Sequence, residues 1–478
     1  MTFTVRFLAV ISAFLTLAAA QPIQLNPKNP HYFLFHAKTV ALISSGEHYG
    51  SVMNADFDYH RYLATLESEG MNYTRLFGGS YHEEPAQSFG IQRNTLAPAP
   101  NRYIAPWARQ GDKFDLSQWN PEYFTRYHDF LAEAGRRGVV VEVTLFSSHY
   151  QEMHWKISPF NPANNVNGTP AIDWKKLHTL DNGSILTYQE AYTRQLVREA
   201  NGYDNVIFEI QNEPWSDQPV LSAVINPYLS LPGRDVYPNS IDLAADASIA
   251  WQARVAGWIA SQESQLPNHH LIAQNYCNFR FPVRQLAPEV SVVNFHYAYP
   301  EAVTLNYGLG KAISYDETGF LGRDDATYRR QAWNFMLAGG SVFDGLDYSF
   351  TVGHEDGTDT APNGPGGGSP ALRRQLRVLS ELLNVFPLAA AAPDPHLVIH
   401  AAGAVPHALS TPTGEHLVYF DGGGLTDVLL DLPPSACAAE WINVETGTAE
   451  KTSLPTRPPI RLRAPAYQDG IALRLKCS

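Results

Sequence analysis

The stretch VIFEIQNEPW, at residues 206–215, decides how this chain is expected to fold. Apolar side chains alternate along its first half, which is typical of a buried strand. The strand brings an Asn-Glu-Pro tripeptide to its carboxyl end, where Pro214 cannot continue the hydrogen-bond ladder. A second apolar run, KAISY at residues 311–315, leads in the same way into Asp316 and Glu317. Two strands therefore each carry a glutamate at their carboxyl end.

The region around these two strands repeats one pattern. Short apolar strands alternate with helical segments from residue 40 to residue 346. Eight strands with intervening helices favour an α/β fold, the closed parallel (β/α)8 or TIM barrel. The predicted strands are Thr39–Ser44, Met71–Phe77, Gly138–Phe146, Asn205–Ile210, His270–Gln274, Ser291–Phe295, Lys311–Tyr315 and Ser341–Gly345.

Two of the predicted strand-to-helix connections are unusually long. They span Gly78–Asn120 and Ser147–Leu186 and are rich in Pro, Asn and aromatic residues. Long connections in a compact domain are usually functional, and in a barrel the loops that follow the strands lie on the active face. We therefore expect these two segments to build the walls of a substrate cleft.

The pattern changes in the last quarter of the chain. A helix predicted at Ala371–Val385 is expected to close the barrel, and after Pro395 short strands alternate with turns. We predict a catalytic barrel over residues 21–386 and a small all-β sandwich domain over residues 387–478. The sandwich could be a structural brace or a glycan-binding module, and its few aromatic residues favour the brace.

The amino terminus has the pattern of a secretory signal peptide. Arg6 precedes a short apolar run, Phe7–Leu17, and three alanines follow it up to Ala20. We predict that residues 1–20 are removed and that the mature protein is secreted, or periplasmic in a Gram-negative bacterium. No later run is long and apolar enough to span a membrane, so we expect no membrane association of the mature form.

Charge and cysteine content narrow the function further. The net charge of −13 argues against nucleic-acid binding, which needs a basic face. Three cysteines are too few for a disulfide framework: Cys437 and Cys477 could pair, whereas Cys277 is expected to be a lone thiol. We predict no cofactor and a monomer.

The predicted strand ends bring several chemically active side chains to one face of the barrel. They are Arg75 on strand 2, Asn212 and Glu213 after strand 4, the pair His296-Tyr297 on strand 6, and Glu317 on strand 7. Retaining hydrolysis of a glycosidic bond needs two carboxyl groups about 5 Å apart, one as acid/base and one as nucleophile. The pattern therefore points to carbohydrate chemistry.

This set resembles the retaining glycoside hydrolases of the large clan that carry catalytic glutamates on barrel strands 4 and 7, and among them the family 5 cellulases. The resemblance covers roughly Phe33 to Phe350. It implies that Glu213 is the acid/base, that Glu317 is the nucleophile, and that Asn212 contacts the sugar 2-hydroxyl. Together with the signal peptide, it predicts a secreted enzyme that cleaves β-glycosidic bonds of a polysaccharide or oligosaccharide by double displacement.

The chain departs from the family pattern at two places. The resemblance implies that Arg75 and a His-x-Tyr element support the nucleophile, but here His296 and Tyr297 are adjacent. Family 5 members usually have a Trp after strand 8, where this chain offers Tyr348. Further candidate sugar contacts at strand ends are His48, Tyr49, His149, Trp155 and Trp215.

Two other functions are compatible with a barrel. A non-catalytic carbohydrate-binding protein would not need both carboxylates, and both are present. A metal-dependent hydrolase would need a ligand cluster, and His48, His149 and His296 lack ligand-like spacing. We therefore predict no metal, and keep the binding protein as the main alternative.

Overall fold

A computed structural model gives the fold of most of the chain. It describes residues 21–85, 88–217, 219–224, 240–360, 364–424, 427–433, 436–455 and 458–477. The predicted signal peptide, residues 1–20, lies outside the described residues. In the described part, no helix combines the length and apolar character that a membrane crossing requires.

A small antiparallel sheet comes first in the chain. It consists of β1 (Gln24–Asn26), β2 (Asn29–Phe35) and β3 (Lys38–Val40). Phe33 and Phe35 are buried against the first residues of the barrel strands. This sheet therefore covers the end of the barrel that is opposite to the carboxyl ends of the strands.

Strands and helices then alternate as the sequence predicts. The elements in chain order are β4 (Leu42–Ile43), α1 (Tyr59–Ser68), β5 (Tyr73–Phe77), β6 (Trp107–Gln110), β7 (Lys113–Trp119), α2 (Pro121–Arg136), β8 (Val140–Ser147), α3 (Glu152–Ile157), α4 (Ile185–Ala200), β9 (Val206–Asn212), β10 (Pro219–Val224), β11 (Ser240–Ala244), α5 (Asp246–Glu263), β12 (Leu271–Asn278), β13 (Val292–His296), α6 (Glu301–Asn306), β14 (Ala312–Glu317), α7 (Asp325–Leu337), β15 (Val342–Phe343) and α8 (Pro370–Val385).

Eight of these strands form the barrel, in the parallel order β4-β15-β14-β13-β12-β9-β8-β5. The seam between β4 and β5 is bridged by Asn72. Its side-chain amide donates to the carbonyl of Ala41 over 2.9 Å, and its side-chain oxygen accepts from the N–H of Ile43 over 2.8 Å. The TIM barrel predicted from the sequence is confirmed.

Three details add to or differ from the sequence prediction. The strand predicted at Thr39–Ser44 is divided, because its first part pairs antiparallel with β2 and only Leu42–Ile43 joins the barrel. The predicted loop Gly78–Asn120 contains the hairpin β6–β7. A second hairpin, β10–β11, follows β9 and pairs with β12.

The carboxyl-terminal region is entirely β. Its six-stranded sheet has the order β16-β18-β19-β24-β21-β22 and its three-stranded sheet the order β17-β20-β23, with a shared apolar core. The strands are β16 (Ala392–Pro393), β17 (Val398–Ala401), β18 (Val405–Ser410), β19 (Glu415–Asp421), β20 (Asp427–Leu430), β21 (Cys437–Asn443), β22 (Ala449–Thr452), β23 (Ile460–Arg463) and β24 (Gly470–Cys477).

This β domain packs directly on the barrel. The Trp333 ring of α7 lies 5.3 Å from the Tyr419 ring of β19, and Arg330 pairs with Asp421 at 2.6 Å. Cys437 and Cys477 form a disulfide, and the thiol of Cys277 is buried and free. The prediction of an all-β domain after the barrel is confirmed.

Candidate active site

Glu213 follows β9 in a strained backbone conformation. Its φ is 48°, in the left-handed region that residues other than glycine seldom adopt. Two hydrogen bonds hold its carbonyl oxygen, from the hydroxyl of Ser148 over 2.7 Å and from the N–H of Ser216 over 2.9 Å. Such strain persists only where the surroundings fix it, and it is often found at functional sites. Here the turn directs the carboxylate into the mouth of the barrel.

Glu317 ends β14, and several hydrogen-bond donors surround its carboxylate group. Oε2 accepts from the Tyr49 hydroxyl over 3.0 Å and from Nη1 of Arg75 over 3.0 Å. Oε1 accepts from the Tyr297 hydroxyl over 3.1 Å. Burial alone would raise the pKa of Glu317, but the positive charges of His296 and Arg75 outweigh burial and hold this pKa well below its ordinary value. Glu317 is therefore ionised.

The two carboxylates lie close together with His296 between them. One oxygen of Glu213, one oxygen of Glu317 and a ring nitrogen of His296 all lie within 4.8 Å of one another. Nδ1 of His296 is 2.9 Å from Glu213 and 3.3 Å from Glu317. Burial tends to lower the pKa of His296, but Glu317 and Asp316 together raise it well above its ordinary value.

A local irregularity explains how adjacent His296 and Tyr297 both reach Glu317. The pairing of β13 with β14 shifts by one residue just before His296, which leaves Asp316 as an extra residue on β14. Bulges of this kind redirect side chains that would otherwise alternate between the faces of a strand. Tyr297 also has a left-handed φ of 53°, and its N–H donates to the carbonyl of Glu317 over 2.9 Å.

Arg75 lies beneath the two carboxylates and is fully buried. Nη2 donates to Glu209 over 2.6 Å and to Oδ1 of Asn212 over 2.9 Å, in addition to the bond from Nη1 to Glu317. The guanidinium also stacks over the Tyr49 ring at 4.4 Å. This one cation on β5 thus fixes groups from two other barrel strands, β9 and β14.

A cavity of about 450 Å³ opens above these residues, a size within the range of small-molecule sites. Its walls are largely aromatic, and both Glu213 and Glu317 face it. The lining residues are His48, Tyr49, Phe77, Tyr81, Glu83, Phe89, Leu96, Tyr150, Asn212, Glu213, Trp215, Ser216, Asp242, Tyr297, Glu317, Phe320 and Leu346.

The fold of the chain has clear relatives among solved structures. A candidate glycoside hydrolase from Bacteroides vulgatus ATCC 8482 matches with a TM-score of 0.63 at 12% identity, over 96% of this chain and 83% of its own. A family 5 glycoside hydrolase from the same strain matches with 0.60 at 12% identity, over 95% and 93%. A third structure, named as a glycoside hydrolase, matches with 0.58 at 12% identity, over 96% and 97%.

This chain shares the (β/α)8 barrel fold of these structures. The predicted resemblance to family 5-like barrels is confirmed for the fold. No known protein-family profile matches the sequence, and no curated protein matches it. Within this barrel, Glu213 and Glu317 stand at the carboxyl ends of the fourth and seventh strands, β9 and β14.

Most of the predicted site residues come together in the cavity or directly beneath it. Arg75 and His296 lie in the buried layer that contacts the carboxylates. Trp215 packs edge-on against the His296 ring at 5.5 Å. The predicted residues that line the cavity are His48, Tyr49, Asn212, Glu213, Trp215, Tyr297 and Glu317.

Three predicted sugar contacts do not line the cavity. His149 is buried behind the wall, where its ring packs near Trp155 at 6.2 Å and its backbone N–H donates to Asp217 over 2.9 Å. Trp155 packs in the same layer. Tyr348 is buried beyond Phe320, whose ring is 6.2 Å away. In the β8 loop it is the next residue, Tyr150, that faces the cavity, because neighbouring side chains point in different directions.

Several lining residues carried no sequence signal of their own. Tyr81, Glu83, Phe89 and Leu96 all come from the first long loop, whereas Tyr150 of the second belongs to the His-Tyr pair that the sequence places after strand 3. Tyr150 accepts a hydrogen bond of 2.7 Å from the Asn212 side chain. The length of the first loop was the only sequence signal that pointed to its lining residues, and it predicted that they form the walls.

Two described triads have geometry that could hold a cation. They are Glu209, His296 and Asp316, and Glu213, His296 and Glu317. Both triads share His296, and three of their carboxylates already contact Arg75. The guanidinium therefore supplies the positive charge that a metal ion would bring.

Proposed function

We propose that the protein is a retaining glycoside hydrolase that cleaves β-glycosidic bonds of a polysaccharide or oligosaccharide. One observation carries this proposal: oxygens of Glu213 and Glu317 approach within 4.8 Å and face the same cavity. Retaining enzymes place their carboxyl groups about 5–5.5 Å apart, whereas inverting enzymes leave about 6.5–9.5 Å for a water molecule. The short separation favours direct attack by a carboxylate.

In the first step, Glu317 attacks the anomeric carbon and the glycosidic oxygen departs with a proton from Glu213. A carboxylate is a suitable nucleophile only when it is ionised and oriented. The bonds from Arg75, Tyr49 and Tyr297 provide the orientation, and the depressed pKa of Glu317 provides the charge.

The proton for the leaving group can be held by the close pair Glu213 and His296. Their atoms lie 2.9 Å apart, so one proton serves both, on the carboxyl or on the ring. Attack by Glu317 converts its negative charge into a neutral ester. The loss of this negative charge favours the ionised form of the neighbouring Glu213. The Glu213 carboxylate is then ready to accept a proton from water.

In the second step, water attacks the anomeric carbon and gives its proton to Glu213, and the ester bond to Glu317 breaks. Asn212 is suited to contact the sugar 2-hydroxyl, because Arg75 and Tyr150 fix its amide beside Glu213. We further propose that residues 1–20 direct export and that the β domain braces the barrel through contacts such as that of Trp333 with Tyr419.

The test is release of reducing sugar from a panel of neutral β-linked glycans and aryl β-glycosides. We expect activity from the unmodified protein, and a loss of at least about a thousandfold in Glu317→Gln. Glu289→Gln, at an exposed position, is the matched control and should retain activity. Glycan binding by calorimetry without any hydrolysis would instead support the non-catalytic binding protein.

A further inference from the structure

Glu83 places a third carboxyl group on the cavity wall, and the double displacement does not use it. The residue lies in the long loop after β5 and is only 3% exposed. Oε1 accepts from the Tyr81 hydroxyl over 3.1 Å, and Oε2 accepts from the Asn94 side-chain amide over 2.5 Å. The N–H of Glu83 donates to the carbonyl of Leu96 over 2.8 Å. Glu83 is therefore rigidly held.

Its carboxyl group retains capacity for further hydrogen bonds. A carboxylate offers about four acceptor positions, and the bonds from Tyr81 and Asn94 fill two of them. Burial raises the pKa of Glu83 to about 8, in spite of those two bonds, and the charge of Glu317 adds to the effect. A buried polar group at a cavity wall is costly unless a ligand completes its bonds.

The neighbouring groups indicate what kind of ligand fits. Asp242, Glu213 and Glu317 line the same cavity, and none of the described lining residues is a lysine or an arginine. An anionic sugar would be repelled by this carboxylate-rich wall, because the buried positive charges of Arg75 and His296 beneath it are already paired with Glu317 and Glu213. Sugar hydroxyl groups, in contrast, can donate to carboxylates, and the faces of Tyr81 and Phe77 suit the apolar face of a pyranose.

We infer that Glu83 binds hydroxyl groups of a neutral sugar residue held beside Glu317, and that it selects neutral sugars over uronic acids. This inference rests on the proposed function and adds the class of substrate. The other role open to Glu83 is to brace its loop through Tyr81 and Asn94. A bracing role affects every substrate equally, whereas a direct bond affects only substrates that carry the bonded hydroxyl.

The experiment compares the unmodified protein with Glu83→Gln and with Glu84→Gln, an exposed neighbour that serves as control. The probes are the aryl β-glycoside that the activity panel identifies and its monodeoxy analogues at each ring hydroxyl. We expect the unmodified protein to lose about five- to a hundredfold in kcat/KM on one or two deoxy analogues, because the buried Glu83 carboxyl is left without its partner. On the parent glycoside, Glu83→Gln should have a kcat/KM that is lower by a similar factor than that of the unmodified protein. On those deoxy analogues, its kcat/KM should fall little further. Glu84→Gln should behave as the unmodified protein.

A second comparison uses the C6-carboxylate counterpart of the same glycoside. The unmodified protein should hydrolyse it at least about tenfold less efficiently, and Glu83→Gln should narrow that gap above about pH 8, where Glu83 is ionised. Equal losses of Glu83→Gln on all deoxy analogues, or hydrolysis of the uronide as fast as of the neutral glycoside, would overturn the assignment of Glu83 alone. A panel in which nothing is hydrolysed would overturn the proposed function itself.

Discussion

Arg75 on the second barrel strand donates a hydrogen bond of 3.0 Å to Glu317 on the seventh. The bond crosses the barrel, and the same guanidinium also holds the side chains of Glu209 and Asn212. A single planar cation therefore fixes both Glu317, the proposed nucleophile, and Asn212, the residue next to the proposed acid/base. Only arginine offers several donors in one rigid fork.

Arg75→Lys should impair both activity and stability. Lysine keeps the charge but cannot make all three bonds, which leaves buried carboxylates without partners at a cost of about 3–5 kcal/mol. We expect kcat/KM to fall at least about a hundredfold and the thermal midpoint to drop. Steady-state kinetics and thermal unfolding test this, with Arg109→Lys at an exposed position as control. Full activity in a stable Arg75→Lys protein would contradict the role given to the guanidinium group of Arg75.

His296→Asn should move the acidic limb of the pH–activity profile to higher pH. The pKa of Glu317 is held low by His296 and Arg75, so loss of the imidazole raises it. Glu317 must be ionised to attack, and it would then be protonated at a higher pH than in the unmodified protein. The measurement is kcat/KM against pH. A limb that stays in place would mean that His296 does not control the ionisation of Glu317.

Glu213→Ala should affect substrates according to their leaving groups. Poor leaving groups need a proton, so hydrolysis of natural glycans should fall by about a hundred- to ten-thousandfold. Aryl glycosides with acidic phenols need no proton, so their first step should be nearly unaffected. Added azide should restore turnover and yield a glycosyl azide of retained configuration. Equal losses on both substrate classes, without azide rescue, would remove Glu213 from the role of acid/base.

Glu142→Gln should alter the pH dependence of stability. Glu142 is fully buried, and burial, followed by the charges of Glu209 and Asp316, raises its pKa well above its ordinary value. The folded protein thus favours the neutral carboxyl. The contribution of Glu142 to the free energy of unfolding is largest below the pKa that this group has in the unfolded chain, and it declines as the pH rises above that pKa. Glutamine preserves the neutral form and can accept the 2.6 Å bond from Asn294.

We therefore expect Glu142→Gln to gain free energy of unfolding over the unmodified protein as the pH rises from about 4 to about 8, by more than about 1 kcal/mol. Urea unfolding at several pH values measures this. The exposed Glu289→Gln should show no such trend. A pH-independent difference for Glu142→Gln would show that Glu142 is ionised in the folded protein.

The sequence predicted the barrel and its strand ends because both follow from local patterns. Alternating apolar residues located each barrel strand to within a few positions, and parallel strands bring their carboxyl ends to one face. The grouping of Arg75, Asn212, Glu213 and Glu317 therefore follows from the sequence alone. The divided first strand was missed because its two halves have the same apolar character and differ only in their partners.

The finer geometry depends on irregularities that sequence patterns do not reveal. The extra residue Asp316 on β14 and the left-handed backbone of Tyr297 explain why adjacent His296 and Tyr297 both contact Glu317. Tyr150 faces the cavity and the neighbouring His149 does not, because the direction of a side chain in a loop is set by tertiary contacts. The sequence does not identify Glu83 as a cavity residue, because nothing in its local sequence distinguishes it from the exposed Glu84.

The most direct test of the central claim is to trap the glycosyl-enzyme and map its site. An aryl 2-deoxy-2-fluoro-β-glycoside slows the second step, so the ester should accumulate and be seen by mass spectrometry of proteolytic peptides. We predict one added fluorosugar, on the peptide that contains Glu317, and on its carboxylate. An adduct on Glu213, or hydrolysis of the parent glycoside with no adduct on any residue, would contradict the account.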